Sequence, residues 1–159
     1  MKKCILLIIV FILIFQTSCS VTGRAAGREE NLTTNTWSAN IKDHDGKIEF
    51  MEKYLVCPTK VLDAEYHIVF QDNSKGLVPG PSDWRITAMI KINPDDIAEW
   101  TKNMEEISEK QMDRTMLDEL TIPDWDLSGE AAYYKRPNEQ SYLVVYEKQG
   151  ILLKYFFTT

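Results

Sequence analysis

The chain has 159 residues, with 18 basic and 24 acidic side chains, and its formal net charge is −6 at pH 7. An acidic balance of this size disfavours nucleic acid and anionic headgroups as partners, because both bind positively charged surfaces. About 120 residues follow the amino-terminal region, which is enough for one domain with its own hydrophobic core.

The first nineteen residues have the pattern of an export signal. Lys2 and Lys3 form a charged segment, residues 4–15 are an uninterrupted apolar run, and Gln-Thr-Ser-Cys follows. Such a run spans about 18 Å as a helix, well short of the roughly 30 Å hydrocarbon core of a bilayer. We therefore predict a signal peptide over residues 1–18 that is removed.

Thr17, Ser18 and Cys19 resemble the lipobox of bacterial lipoprotein precursors, in which small residues precede an obligatory cysteine. The resemblance covers the leader alone. It implies cleavage before Cys19 and acyl chains, such as palmitate, on that residue, and each buried methylene contributes about 0.8 kcal/mol to membrane binding. Gln16 stands where the family usually has Leu, so ordinary signal-peptidase cleavage near Ser20 is the alternative. The expected location is the cell envelope, with the domain anchored to the membrane by lipid and facing the periplasm or the exterior.

Residues 19–40 are predicted to form a flexible tether, because Ser, Thr, Asn, Gly and Arg dominate them. Loss of the two leader lysines would leave 16 basic and 24 acidic side chains, a net charge of −8. Cys57 would then be the one thiol beyond the lipid site. Its place before Pro58, after an apolar helix face, predicts a buried small hydrophobic residue.

The segment IKDHDGKIEFME resembles half of an EF-hand calcium loop. Asp43, Asp45 and Glu52 match three oxygen ligands of the pattern, but Ile41 occupies the position of the first carboxylate. These residues are therefore an incomplete metal site, and no metal or cofactor is expected. The preferred interpretation is that Asp43 or Asp45 caps a helix predicted over residues 47–56.

Two segments alternate apolar and polar residues with period two, which is typical of half-buried β-strands. They cover residues 62–70 and 84–92. His67 falls on the polar face of the first, near Asp63 and Glu65, and we interpret it as a solvated cross-strand partner. The alternatives are a metal ligand and a catalytic base, the latter in an acid–base site that uses the nearby carboxylates.

The loop between the two strands, DNSKGLVPGPSD, is longer than a hairpin requires and is stiffened by proline. Loops of this kind often carry recognition surfaces, although a wide connection without a partner is the alternative. We predict that a partner binds through this loop, through the acidic stretch that follows it, or through both, and a tryptophan from a later irregular stretch is a further candidate. The candidate residues are Lys75, Leu77, Val78, Pro79, Pro81, Trp84 and Trp125.

The stretch after the second strand is strongly acidic. Asn93-Pro94-Asp95-Asp96 is typical of a helix start, and an apolar stripe beyond it predicts a kinked helix or two helices before Pro123. Residues 95–119 contain nine acidic and three basic side chains. Such a surface suits a basic protein partner, and a merely solvated helix face is the alternative.

The carboxyl-terminal third predicts three strands, over residues 131–135, 142–148 and 151–157, joined by short turns as an antiparallel meander. The element order α-β-β-α-β-β-β predicts one α+β domain over residues 41–159. Its sheet would have about five mainly antiparallel strands, with the helices packed on one face. No catalytic motif is recognised. The predicted function is a non-catalytic binding module for a protein or a glycan, and the alternative is a small carboxylate-dependent hydrolase of the envelope.

Overall fold

The computed structural model describes residues 32–75, 79–112, 120 and 123–158. These residues form one seven-stranded antiparallel sheet and two short helices, an α+β architecture. The strands are β1 (Leu32–Trp37), β2 (Val61–Asp72), β3 (Asp83–Ile92), β4 (Glu105–Ile107), β5 (Ala132–Lys135), β6 (Ser141–Tyr146) and β7 (Ile151–Phe157). The helices are α1 (His44–Glu52) and α2 (Ile97–Thr101).

The strands lie in the order β1-β2-β3-β7-β6-β5-β4. The last three strands of the chain pair in succession, so the predicted antiparallel meander is confirmed. β7 then pairs with β3, with Arg85 opposite Phe157 and Lys91 opposite Ile151. The expectation of five strands is wrong, because β1 and β4 extend the sheet at its two edges.

β1 lies inside the segment that was predicted to be a tether. Leu32 pairs with Asp72 and Trp37 with His67, so the tether prediction is wrong from residue 32 onward. Threonine favours strands, and an edge strand with mostly exposed side chains needs no apolar periodicity. The signal peptide, Cys19 and the rest of the predicted tether lie outside the described residues.

The first part of the predicted acidic helical region is much shorter than expected, and its second part falls largely on residues 113–119, outside the described residues. Asn93 caps the 3₁₀ turn Pro94–Asp96 that leads into α2, as predicted for the start of this region, because its side chain accepts a hydrogen bond from the Asp95 N–H. The helix ends at Thr101, and Asn103 has a φ of 60°, a left-handed conformation that asparagine tolerates well. The chain reverses there and enters β4, so a strand replaces the predicted helix over residues 105–107.

α1 also differs from its predicted limits. The helix begins at His44 and ends at Glu52, four residues before the predicted end at Val56. The Tyr54 and Leu55 N–H groups both donate to the Met51 carbonyl, which closes the last turn before the chain leaves the helix. The helix therefore ends well before Pro58, whose effect on the preceding residue does not decide the boundary.

A β-bulge changes the start of β2. The register with β3 shifts between Val61 and Asp63, and Val61 is 4% exposed whereas Leu62 is 45% exposed. Leu62 was expected on the buried face of this strand. The extra residue at the bulge turns its side chain outward, as such irregularities do.

The sheet carries apolar side chains on both faces. One cluster joins the two helices to the strands, and its largest buried members are Met51, Tyr66, Ile86, Ile90, Ile92, Trp100, Leu143 and Leu152. The other cluster is formed by Met89, Met112, Val144, Ile151 and Leu153, with Leu120, Trp125 and Leu127 packed against it. Strands covered on both sides have nearly continuous apolar sequences, which explains the composition of β6 and β7. Of the helices in the described part of the chain, none has the length and apolar character needed to cross a bilayer.

Candidate functional site

Hydrogen bonds join the two ends of the loop that was predicted as a recognition surface. The Asn73 side chain donates to the Pro81 carbonyl at 3.0 Å and to Asp83 Oδ2 at 2.9 Å, and the Asn73 backbone carbonyl accepts from the Gly80 N–H at 3.1 Å. Lys75 is exposed, as are Pro79 and Pro81. The other two candidates in the loop, Leu77 and Val78, lie outside the described residues.

The two tryptophans of the predicted surface are not brought together. Trp84 packs on Phe70 and Tyr54, with ring centroids 4.3 and 5.0 Å apart, and belongs to the cluster on the helical face. Trp125 packs against the other cluster, with Lys91 Nζ 6.0 Å from its ring centroid. The two tryptophans therefore pack on opposite faces of the sheet, and the binding role of either one stays a prediction.

The incomplete calcium loop is a helix start. Asp43 caps α1, because its Oδ2 accepts from the Gly46 N–H at 2.7 Å, which confirms the capping interpretation. Asp45 is hydrogen-bonded to the neighbouring His44 ring at 3.1 Å. Glu52 lies at the far end of the helix, about 14 Å along its axis. Across residues 32–75, 79–112 and 123–158, no three potential ligand side chains come close enough to hold a metal ion.

His67 is buried rather than solvated, so that part of its interpretation is wrong. The residue is 6% exposed, and its ring stacks on Trp37 with centroids 3.7 Å apart. Nε2 lies 3.2 Å from Asn35 Oδ1. Both contacts come from β1, a strand that the sequence did not predict, and they make His67 a buried cross-strand partner.

The carboxylates near His67 in the sequence hold α1 against β2. Lys47 Nζ lies 3.2 Å from Asp63 Oδ1 and 2.6 Å from Glu65 Oε1. Ser38 Oγ donates to the other Glu65 oxygen. Burial lowers the pKa of Lys47, but its hydrogen bonds to the two carboxylates outweigh this effect and raise that pKa overall. The arrangement is that of an ion-paired structural contact.

Replacing this lysine tests the structural role. Lys47→Met is expected to reduce the free energy of unfolding by about 1–2 kcal/mol at pH 7, because two half-buried carboxylates lose their cation. The raised pKa means that the lysine's contribution is fully present below pH 10.5 and is lost as the pH rises through the folded-state value. Urea unfolding at pH 7 measures the loss.

The matched control is Lys102→Met. Lys102 is also ion-paired, with Glu99 at 3.6 Å, but both side chains are more than half exposed. Exposed pairs contribute little, so the control should change stability by less than about 0.5 kcal/mol. Equal losses in the two variants would contradict the structural role of Lys47.

A pocket of about 250 Å³ lies on the helical face, away from the predicted loop. The chain after α1, helix α2, the β5–β6 turn and strand β7 each contribute to its wall. Its apolar and aromatic lining is Tyr54, Leu55, Val56, Pro58, Trp100 and Phe156. Its polar lining is Glu99, Arg136, Glu139, Ser141 and Lys154.

Lys154 is the unusual member of this lining. It is 9% exposed and lies on β7 between Leu152 and Phe156, both of which pack in the cluster on the helical face. Burial lowers the pKa of Lys154, and the nearby Arg136 guanidinium lowers it further. Throughout the described part of the chain, no side chain or carbonyl forms a hydrogen bond or an ion pair with this lysine.

The two glutamates of the pocket have other cations beside them. Glu99 pairs with Lys102 at 3.6 Å, and Glu139 lies 3.9 Å from Arg136 Nε. The Lys154 side chain is thus mostly buried, and its ammonium lines the pocket without an ion-pair partner among the described residues. A buried charge without a partner destabilises a fold, and such arrangements are typical of binding sites.

Sequence reasoning missed this pocket, although one signal was present. Lys154 is the single charged residue in the strand ILLKYFF, at an alternation position that faces the core. A lysine at an inward position of a strand that is apolar on both faces is rare unless it is paired. That signal could have marked Lys154 as a candidate, but the sequence alone does not show which residues surround it.

Cys57 lies near Lys154 but is not equipped for catalysis. Burial, with a smaller effect from Glu52, raises the pKa of the thiol to about 11, so it is protonated at neutral pH. Its Sγ donates weakly to the Leu55 carbonyl at 3.4 Å. Cys57 is half-buried rather than buried, so the prediction of a buried small hydrophobic residue is only partly met.

No protein-family model, no curated protein and no solved structure matches the chain.

Proposed function

We propose that this chain is a lipid-anchored binding protein of the cell envelope that has no catalytic role of its own. The anchor is proposed from the leader, in which a charged segment, an apolar run and Thr17-Ser18 precede Cys19. The binding role is proposed from the pocket on the helical face. The observation that carries it is the buried Lys154 ammonium, which lines open space without an ion-pair partner in the described chain.

The alternative, a small hydrolase that uses carboxylates around His67, has less support. Asp63 and Glu65 are engaged with Lys47, and Glu65 also accepts from Ser38. His67 is stacked on Trp37 and buried. A general base must reach its substrate, so these contacts favour structural roles for all three residues. If the protein showed a hydrolase activity and a Glu65→Gln, His67→Ala double variant kept that activity unchanged, the hydrolase alternative would be removed.

A macromolecular partner, if one binds, is proposed to be a basic protein or a glycan. Exposed carboxylates extend from the turn before α2 to the turn after the edge strand β4, at Asp95, Glu99, Glu105, Glu106 and Glu109. Clustered exposed charge steers oppositely charged partners, and that attraction weakens with salt. A protein that is recovered in stoichiometric amount at low salt, and is released as the salt rises, would support this part of the proposal.

The mass of the mature amino terminus tests the proposed lipid anchor at Cys19. When the full chain is expressed in a bacterial host, intact-mass analysis is expected to show cleavage before Cys19 and a mass increase from two or three acyl chains. Two or more chains anchor a protein firmly, so Cys19→Ser should move the protein from the membrane fraction to the soluble fraction.

Cys57→Ser is the matched control, because it removes the other cysteine beyond the leader and should leave lipid and membrane association unchanged. A bare Cys19 thiol, a retained leader or cleavage near Ser20 would each contradict the anchor. None of these outcomes bears on the pocket.

A further inference from the structure

We propose that the pocket on the helical face binds a small monoanionic carboxylate with a flat apolar body, and that the carboxylate pairs with Lys154. This inference deepens the proposed binding role and names the chemical class of the ligand. It does not depend on the lipid anchor, because the pocket is built wholly from the folded domain.

The charge of the ligand follows from the charges already paired in the pocket. Glu99 and Glu139 have cations beside them, at 3.6 and 3.9 Å, which leaves the lysine as the group without a counter-ion. A ligand with one negative charge would give Lys154 the counter-ion that it lacks. A monoanion therefore fits better than a dianion such as phosphate, which would place excess negative charge near the two glutamates.

The flat apolar body of the proposed ligand is inferred from the side chains that line the pocket. Trp100 and Phe156 line the pocket together with Tyr54 and aliphatic side chains, so the ammonium shares the space with apolar as well as polar walls. A cavity of about 150 Å³ accepts benzene. The volume of about 250 Å³ therefore has room for an aromatic ring and a short acidic arm.

The polar groups of the pocket also favour a carboxylate over other monoanions. Ser141, which is 2% exposed, lines the space together with Lys154 and adds a hydroxyl group. A carboxylate has two oxygens, so one can accept from an ammonium while the other accepts from a hydroxyl. A cationic or neutral ligand would leave the lysine buried and unpaired.

Phenylacetate and its neutral isostere phenylacetamide make a matched pair of probes. We expect the full-length processed protein, purified from a bacterial host and held in zwitterionic lipid nanodiscs, to bind phenylacetate at least about tenfold more tightly than phenylacetamide. Ligand-observed NMR with empty nanodiscs as the blank measures both affinities. The assay measures binding in the pocket whether or not Cys19 is acylated. A failure of the ligand proposal can therefore be distinguished from a failure of the proposed lipid anchor.

Lys154→Met should abolish the preference for the acid, so that the two probes bind with equal affinity within about twofold. Lys148→Met is the matched control, because Lys148 is exposed on the turn after β6, and it should keep the full preference. A preference that survives in Lys154→Met would overturn the proposal. So would equal binding of the two probes to the wild-type protein.

A second measurement needs no variant and keeps the proposal testable if Lys154→Met fails to fold. With ¹³C-labelled lysine, the side-chain signal of Lys154 should shift on addition of phenylacetate and stay in place with phenylacetamide. If phenylacetate shifted only the ¹³C signals of exposed lysines, the anion would bind outside the pocket, and the proposal would be overturned.

Discussion

Gly150→Ala is expected to reduce the free energy of unfolding by about 2–5 kcal/mol. Gly150 has a φ of 63°, and a left-handed conformation costs a residue with a Cβ about 1–2 kcal/mol. An added Cβ would also overlap the Ile92 carbonyl oxygen and lie 3.1 Å from Pro94 Cδ. Overpacking of this kind costs about 1–3 kcal/mol more.

The turn cannot relax easily, because it is tied to the neighbouring strand. The Ile92 N–H donates to the Gly150 carbonyl at 2.8 Å, and β7 begins at the next residue. Any shift that relieves the overlap would stretch this bond at the point where β3 and β7 meet. Urea unfolding of the purified protein measures the loss of stability.

Gly80→Ala is the matched control for this prediction. Gly80 is exposed in the loop before β3, and a Cβ at that position would meet no atom within 4 Å. The control is expected to change stability by less than about 0.5 kcal/mol. If the two alanine variants unfold at the same urea concentration, the close approach at Gly150 does not determine the turn.

The parts of the fold that the sequence predicted are those whose signal is local. The alternation in β3, the meander of β5, β6 and β7, and the cap at Asp43 each depend on residues close together in the chain. β1 and β4 have no such signal. β1 is a polar edge strand, and the acidic β4 follows a turn at Asn103 that interrupts an apparent helical stripe.

The pocket could not be predicted because its walls come from distant parts of the chain. Residues 54–58, 99–100, 136–141 and 154–156 meet only when β7 pairs between β3 and β6. The relative placement of the two candidate tryptophans could not be predicted for a related reason. Trp84 and Trp125 appear equally prominent in the sequence, but the sheet places them on opposite faces.

Lys154→Met is expected to stabilise the protein by about 1–3 kcal/mol at pH 7. The variant removes a buried charge that has no counter-ion in the described structure and replaces it with an apolar side chain of similar length. Replacing buried ionic groups with apolar residues is often stabilising by this amount. A binding residue retained at the expense of stability should behave in this way. Lys148→Met, at an exposed site, should change stability by less than about 0.5 kcal/mol.

The stability gained by Lys154→Met should also become smaller as the pH rises. Burial and Arg136 lower the pKa of Lys154 from its ordinary value of 10.5, while Cys57 and Glu139 act in the opposite direction with smaller effects. Between the lowered pKa and 10.5, the unfolded chain binds more protons than the folded protein, so the wild type gains stability with pH. The Met variant lacks this gain, and the difference between the two proteins should be smaller at pH 10 than at pH 7. A variant that is less stable than the wild type at pH 7 would show instead that the Lys154 ammonium has a stabilising partner in the fold, and the pocket would then offer an anion no free charge.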